Sequence, residues 1–140
     1  MSDPIAIRAL RADEQAWANE RYRAIRFAAT PPGSVALVAE RAGARIGLGR
    51  LVAYPGDAVE LGGIWTDEAA RGAGVARAMV TALIARAAGG RLWCIPFAHL
   101  AAFYQSFGFA PVLPPWPPPI AAKVDECVAH ALPAVVVLAR

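Results

Sequence analysis

The sequence ELGGIWTDEAARGAGVA, residues Glu60–Ala76, organises the rest of the chain. An apolar, strand-forming run over 59–66 precedes the glycine-rich turn Arg71–Gly74, and an alanine-rich helix is predicted over 75–88. Glycines let the backbone approach a ligand closely, and the first N–H groups of a helix have no partner within it. Because the helix dipole adds a partial positive charge there, the turn predicts an anion site suited to phosphate.

Two other phosphate-binding loops are excluded by the residues that follow the turn. A Walker A loop needs Gly-Lys-Ser/Thr, and Ala76-Arg77 does not supply it. A dinucleotide fingerprint needs a third glycine three positions after Gly74, where Arg77 stands. A Rossmann unit would also open the chain, whereas this turn lies at its middle.

The remaining elements are predicted from periodicity and breakers on both sides of the turn. Strands are predicted over 4–10, 35–40, 45–54, 59–66, 91–95 and 133–140, and helices over 12–29, 75–88, 98–107 and 120–130. This order is neither a strict strand–helix alternation nor a run of hairpins. It predicts an α/β fold with a mixed sheet of about six to seven strands flanked by helices, as a single domain over 1–140.

Composition indicates a compact globular chain. Of 140 residues, 57% are hydrophobic and 18% charged, which excludes a disordered segment. No apolar run approaches the roughly 20 residues that span a bilayer, and Met1–Pro4 lacks the basic flank and apolar core of a signal peptide. We therefore expect a cytoplasmic protein without a membrane partner. The arginines are spread along the chain, so no nucleic-acid partner is predicted.

Cysteine and histidine usage favours neither disulfides nor metal binding. Cys94 and Cys127 form no CxxC pair, which is typical of two free thiols in a reducing compartment. His99 and His130 show no clustered ligand spacing, so no metal site is predicted.

Three segments resemble motifs of the GNAT acyltransferase superfamily. Arg71–Ala76 resembles its pyrophosphate-binding signature Q/R-x-x-G-x-G/A, Phe103–Phe109 its C-terminal FYxxxGF element, and Glu60–Thr66 the strand whose backbone receives pantetheine. The resemblance covers most of the chain and implies a GNAT-like fold with acetyl-CoA as cofactor. The residues that it assigns to the cofactor are Ile64, Trp65, Thr66, Arg71, Gly72, Ala73, Gly74, Val75 and Ala76. Gly62-Gly63 suits a bulge or a close backbone approach on that strand.

Acetyl transfer from a thioester to an amine also requires proton handling. An alkylamine, with a pKa near ~10.4, must lose a proton before it attacks, and the departing thiolate must gain one. The resemblance implies Tyr104 as the acid, although the aromatic residues around it are also typical of core packing. Glu60 is the candidate base, or else a surface glutamate at the start of its strand. His99 is a second candidate, although a lone histidine there is more often a capping or packing residue.

The acceptor side is less defined. Only about seven residues, 27–33, separate the first helix from the second strand, where many members of the family place another helix over the acceptor. The acceptor site is therefore expected to be open or to be completed in a homodimer. The proline-rich stretch Pro111–Pro119, read as extended polyproline around Trp116, would wall that site, serve as a rigid connector or bind a partner domain. The acceptor could be a small amine, an antibiotic, an amino acid or a protein terminus, and a non-catalytic acyl-CoA-binding module is the alternative.

Overall fold

A computed structural model describes residues 3–140, so Met1 and Ser2, the start of the segment tested for a leader, lie outside it. The described residues form a seven-stranded sheet in the order β1-β2-β3-β4-β5-β7-β6. The strands are Ala6–Ala9, Val35–Arg41, Ala44–Ala53, Val59–Thr66, Trp93–Cys94, Ala110–Pro111 and Leu138–Ala139, numbered β1 to β7. The helices are Gln15–Ala24, Val75–Arg86, Ala101–Gln105 and Pro118–Ala129, numbered α1 to α4.

The sheet is mixed. β1, β2 and β3 pair antiparallel in chain order, β4 and β5 pair parallel, and β7 pairs antiparallel with both β5 and β6. The predicted α/β class with a mixed sheet flanked by helices is confirmed.

The chain divides into two compact units. The first contains residues 3–52 together with Gly63–Gly89, and the second contains Ala53–Gly62 and Gly90–Arg140. The strand β4 therefore contributes its last residues to the first unit and its first residues to the second. A single domain over 1–140 stays a prediction.

In the first unit, helix α2 lies very close to β3 because two positions of the strand lack side chains. A Cβ on Gly47 would lie 2.6 Å from Val75 Cγ1, and one on Gly49 would lie 2.6 Å from Met79 Cγ. Val75 and Met79 are themselves buried. The start of α2, and with it the end of the glycine turn, is thus set by close packing on the sheet.

A buried carboxylate ties the start of α1 to β1. Glu14 is 2% exposed, and its two oxygens accept from Arg8 Nη1 and Nη2 at 2.8 and 2.9 Å. The backbone N–H of Arg11 donates to the same carboxylate at 2.9 Å. The hydrogen bonds from Arg8, above all, lower the pKa of Glu14 to about 2, although burial opposes the shift.

This ion pair predicts a loss of stability in acid. The ordinary pKa of the glutamate is 4.5, so its stabilisation is complete above that pH and is lost as the pH falls towards about 2. Because Arg8 is 31% exposed, solvent screening leaves about 1 to 2 kcal/mol of the shift. Urea unfolding of Glu14→Gln should show this deficit at pH 7 and a smaller one at pH 3. The exposed Glu20→Gln is the control, and an equal deficit of Glu14→Gln at both pH values would contradict the assignment.

Helix α1 is shorter than predicted, ending at Ala24 and not near residue 29. Arg26 adopts a left-handed φ of 65°, and the N–H of Phe27 donates to Tyr22 O at 2.8 Å while that of Arg26 donates to Arg23 O at 3.0 Å. These two bonds form a Schellman cap, and the rings of Phe27 and Tyr22 stack across it. No helix occupies the connection to β2 in the described chain, as expected.

The proline-rich stretch and the C-terminal strand also differ from prediction. The stretch is not all polyproline, since it starts in strand β6 and its last prolines begin α4 at Pro118. Proline suits the first turn of a helix because its missing N–H would have no partner there. The strand predicted over 133–140 is reduced to Leu138–Ala139, with one further bridge between Phe97 and Val135.

Candidate functional site

The glycine turn before α2 presents unpaired backbone donors. Gly72 and Gly74 have φ values of 80° and 83°, and Gly74 is the N-cap of the helix. The first main-chain bond of the helix runs from Ala78 N to Gly74 O at 3.0 Å. Within residues 3–140, the N–H groups of 72–76 donate to no main-chain carbonyl. The arrangement has the donors and the dipole that an anion requires.

The side chains of the turn divide between solvent and core. Arg71 is exposed and forms no ion pair with any residue that the structure describes, so its charge is available to a ligand. Val75 is 2% exposed and packs against β3, so it can contribute to a ligand site only through its backbone. A Cβ on Gly72 or Gly74 would meet no atom within 4 Å, so the space before the turn is open.

The strand segment 64–66 is preceded by a closely approached glycine. Gly63 has φ 61° and its carbonyl accepts from Tyr22 Oη at 2.8 Å. A Cβ there would lie 2.8 Å from Tyr22 Oη and 2.9 Å from Arg50 Nε, so no other residue fits. Of the two interpretations of the glycine pair, a bulge or a close approach, the close approach is present at Gly63. The ring of Trp65 packs edge-on against Trp17 at 5.8 Å, which leaves its backbone as the part that a ligand could use.

In the second unit, Glu60 is buried, so its interpretation as a surface glutamate is wrong. It is 9% exposed and lies opposite Trp93 of β5. Tyr54 Oη donates to Glu60 Oε1 at 2.5 Å. A charge-assisted bond of this length fixes the carboxylate and leaves Oε2 on the side of Gly62, where a Cβ would lie 3.3 Å away.

Tyr104 keeps its proton at neutral pH. It is 7% exposed, and its ring contacts Phe103 and Phe109 edge-on at 5.0 and 6.4 Å. Burial, reinforced by Cys94, raises the pKa of Tyr104 above its usual range. Its hydroxyl makes no hydrogen bond within the described residues. The side chain is therefore both core packing and an unused proton donor.

Cys94 interacts electrostatically with both candidate catalytic groups, Glu60 and Tyr104. Burial, and then the charge of Glu60, raise the pKa of the Cys94 thiol, so it stays protonated. The structure thus places the buried residues Glu60, Cys94 and Tyr104 near one another, and the half-buried Tyr54 is bonded to Glu60. Sequence reasoning missed Tyr54 and treated Cys94 only as a free thiol. The available signal was the turn Pro55-Gly56-Asp57, since a hairpin there brings Tyr54 towards β4.

The two other sequence candidates have packing roles. His99 is exposed and stacks on Phe97 at 5.9 Å, which favours the packing interpretation. Trp116 donates from Nε1 to Val112 O at 2.8 Å and packs against the cluster of Ala58, Trp93, Ile120, Val137 and Ala139. The proline-rich stretch is thereby attached to the core of its unit.

Neither a metal cluster nor a membrane-spanning helix is found in the part of the chain that the structure describes. No group of three or more histidine, cysteine, aspartate or glutamate side chains there could hold a metal ion. No helix of residues 3–140 is long and apolar enough to cross a membrane.

Among residues 3–140, the site thus has a turn of N–H groups without main-chain acceptors that follows β4 and precedes α2. The family model described as an acetyltransferase (GNAT) domain matches residues 32–111, which is more than half of the chain. The chain belongs to the GNAT acetyltransferase family. A comparison with curated proteins found no match to it.

Solved structures show the same fold at low sequence identity. Escherichia coli ElaA matches with a TM-score of 0.70 and 19% identity over 98% of this chain and 99% of that one. A second match is N-acetylglutamate synthase from Neisseria gonorrhoeae, complexed with coenzyme A and N-acetyl-glutamate. Its TM-score is 0.76 and its sequence identity 14%, over 100% of this chain and 35% of that one. A third match is a GNAT family acetyltransferase from Elizabethkingia anophelis with acetyl-CoA bound. Its TM-score is 0.66 and its sequence identity 15%, over 96% of both chains.

Proposed function

We propose that this protein is an N-acetyltransferase that moves an acetyl group from acetyl-CoA directly to an amine acceptor. The observation that carries the proposal is the turn of unpaired N–H groups at the start of α2, in a chain of the GNAT family. Two structures with this fold, from Neisseria gonorrhoeae and Elizabethkingia anophelis, contain coenzyme A and acetyl-CoA respectively, which supports a CoA-type cosubstrate.

The cofactor contacts in this proposal come from the glycine turn and the end of β4. The N–H groups of 72–76 bind the pyrophosphate, and the exposed guanidinium of Arg71 adds charge. The amides of the pantetheine arm pair with the backbone of Ile64 and Thr66 as an added strand would. The strand β4 has eight residues and its parallel neighbour β5 only two, so β5 is too short to pair with all of it.

The proton transfers in this proposal are assigned to Glu60 and Tyr104. The amine nitrogen attacks the thioester carbonyl, the carbon–sulfur bond breaks, and the thiolate leaves. Glu60 takes the proton of the ammonium or of the attacking nitrogen, and Tyr104 gives its proton to the sulfur. Both groups are buried, and the raised pKa of Tyr104 keeps its phenol protonated, which supports its role as the proton donor. No covalent enzyme intermediate is needed.

The cofactor assignment can be tested with two matched glycine variants. Gly74 and Gly43 both have left-handed backbones, with φ 83° and 78°, and a Cβ at either would meet no atom within 4 Å. Valine should therefore cost similar stability at both positions. Only Gly74→Val, whose side chain would project in front of the free N–H groups, should weaken coenzyme A binding, by about 10-fold or more. Isothermal calorimetry measures this, and equal affinity of the two variants would remove the turn as the phosphate site.

Catalysis itself is tested by release of thiol. Acetyl-CoA should raise the Tm of the protein whether it is an enzyme or a non-catalytic acyl-CoA-binding module. Only the enzyme should release coenzyme A thiol above the hydrolysis background when a panel of amines is added. A rise in Tm without thiol release from any amine would favour the binding module.

The proposal also includes the cellular location, the domain organisation and the oligomeric state of the protein. Both cysteines are free thiols, which fits the cytoplasmic location that we propose. The proposal treats the chain as one acyltransferase domain. A homodimer would supply the acceptor cover that the short connection between α1 and β2 does not.

A further inference from the structure

A buried cation in the first unit has no anionic partner among the residues that the structure describes. Arg50, in strand β3, is 5% exposed, and an arginine side chain keeps its charge in proteins. No carboxylate among residues 3–140 forms an ion pair with it. Buried charges are normally paired, because removing an ion from water without a counter-ion is costly.

The contacts of the guanidinium are all with neutral groups. Nη1 donates to Ala28 O at 3.0 Å and to Thr30 Oγ1 at 2.8 Å, and the group lies over the ring of Tyr22 at 4.2 Å. An arginine has five N–H donors in a planar fork, and these contacts use one of its nitrogens. By contrast, the more exposed Arg8 and Arg45 both pair with Glu14. Two arginines that are more exposed thus have an acidic partner, whereas the buried Arg50 has none among residues 3–140.

The position of this cation fits an acceptor site. Arg50 Nε lies within 2.9 Å of where a Cβ on Gly63 would stand, immediately before the strand segment 64–66 that is proposed to receive pantetheine. The other side of the guanidinium is covered by residues 28–30, in the connection from α1 to β2 that carries no helix and is largely exposed. Two neutral oxygens on an exposed connection can be displaced by a stronger acceptor.

We propose that Arg50 binds a carboxylate of the acceptor, so that the amine substrate is an amino acid. This inference rests on the proposed function. A carboxylate is the partner that matches a guanidinium fork with two parallel bonds, and such charge-assisted bonds are stronger than those to neutral oxygens. A carboxylate bound there would pair the buried charge and hold the amino group beside the pantetheine strand.

Matched pairs of acceptors test the proposal. Thiol release is measured with acetyl-CoA and an amino acid or its decarboxylated amine: alanine and ethylamine, phenylalanine and phenethylamine, lysine and cadaverine. For at least one pair, kcat/KM should be 10-fold or more higher for the amino acid. Arg50→Gln should lower kcat/KM for that amino acid by 10- to 100-fold and for the amine by less than about 3-fold.

Arg45→Gln is the matched control. Arg45 is also in β3 and also lies over an aromatic ring, that of Trp17 at 4.2 Å, but it is 36% exposed and pairs with Glu14. It should leave the preference for the amino acid unchanged. If Arg50→Gln instead lowers kcat/KM equally for both members of each pair, together with the Tm, then Arg50 only holds the connection and the proposal is overturned.

A binding measurement separates this proposal from the proposed function. Calorimetry compares N-acetylalanine with N-ethylacetamide on the protein saturated with coenzyme A, and repeats the titrations with N-acetylphenylalanine and N-acetyllysine. Tighter binding of the carboxylates to the wild type than to Arg50→Gln supports the proposal even without turnover. Turnover of the amines at rates equal to the amino acids would sustain the acetyltransferase but refute the role of Arg50. Absence of carboxylate-dependent binding in the whole series, with no preference in turnover, also refutes it.

Discussion

Replacing Tyr104 by phenylalanine is expected to lower kcat by about two to three orders of magnitude. Coenzyme A should still raise the Tm as it does for the wild type. The variant removes one hydroxyl and keeps the ring that packs edge-on against Phe103 and Phe109. Because that hydroxyl has no hydrogen-bond partner in the described residues, its loss leaves no buried group unsatisfied, and the fold should tolerate it.

The physical reason for the expected loss is the leaving group. The departing thiolate must be protonated, and burial raises the pKa of Tyr104, so the phenol still carries its proton when the thiolate forms. Steady-state kinetics with saturating acetyl-CoA measures kcat, and calorimetry measures cofactor affinity in parallel. A kcat within about 3-fold of the wild type would show that Tyr104 is only part of the aromatic core.

Glu60→Gln is expected to lower kcat/KM at neutral pH by about two to three orders of magnitude, which is the usual contribution of a general base. Glutamine can still accept the hydrogen bond from Tyr54 Oη and fills the same volume, so the buried position should be kept. It cannot take up a proton. The acidic limb of the pH dependence of kcat/KM should therefore disappear in the variant.

Two further variants make this result specific. Glu126→Gln removes an exposed carboxylate of the same unit and should leave the profile unchanged. Tyr54→Phe removes the donor that fixes Glu60 and should give a smaller loss of kcat/KM than Glu60→Gln. An unaltered acidic limb in Glu60→Gln would exclude Glu60 as the base, and His99 or a water molecule would then become the candidate.

The parts of the fold that were predictable are those whose signals are local. The run over 59–66 became β4 with the same bounds, and the glycine turn placed the start of α2 at Val75. The end of α1 was not predictable, because Arg26 takes a left-handed conformation for which sequence normally supplies glycine. The strands β5 and β7 were predicted, but over longer ranges than the two residues that each of them has. The two-residue strand β6 was not predicted, because it is too short to show a periodicity, and it forms by pairing with β7.

The candidate site also contains parts that the sequence could predict and parts that it could not. Free N–H groups at a helix start are implied by the glycine spacing, so the anion turn could be predicted from sequence. The bond between Tyr54 and Glu60 depends on how the hairpin between β3 and β4 closes, and no propensity gives that. The buried state of Arg50 depends on contacts with Tyr22 and the connection after α1, which are distant in sequence. The presence of a charged residue in a predicted strand does not show whether the chain also supplies the oppositely charged residue that would pair with it.

The two glycines of β3 that pack against α2, Gly47 and Gly49, are poor positions for stabilising substitutions. Glycine-to-alanine exchange in a strand normally stabilises, since it restricts the unfolded chain. At Gly47 the new methyl group would meet the stiff, β-branched Val75 at 2.6 Å, so the helix would have to move away from the sheet. The first residues of that helix carry the free N–H groups. An alanine introduced at Gly47 to raise thermal stability would therefore displace the anion turn. A more thermostable variant of this protein should keep glycine at this contact.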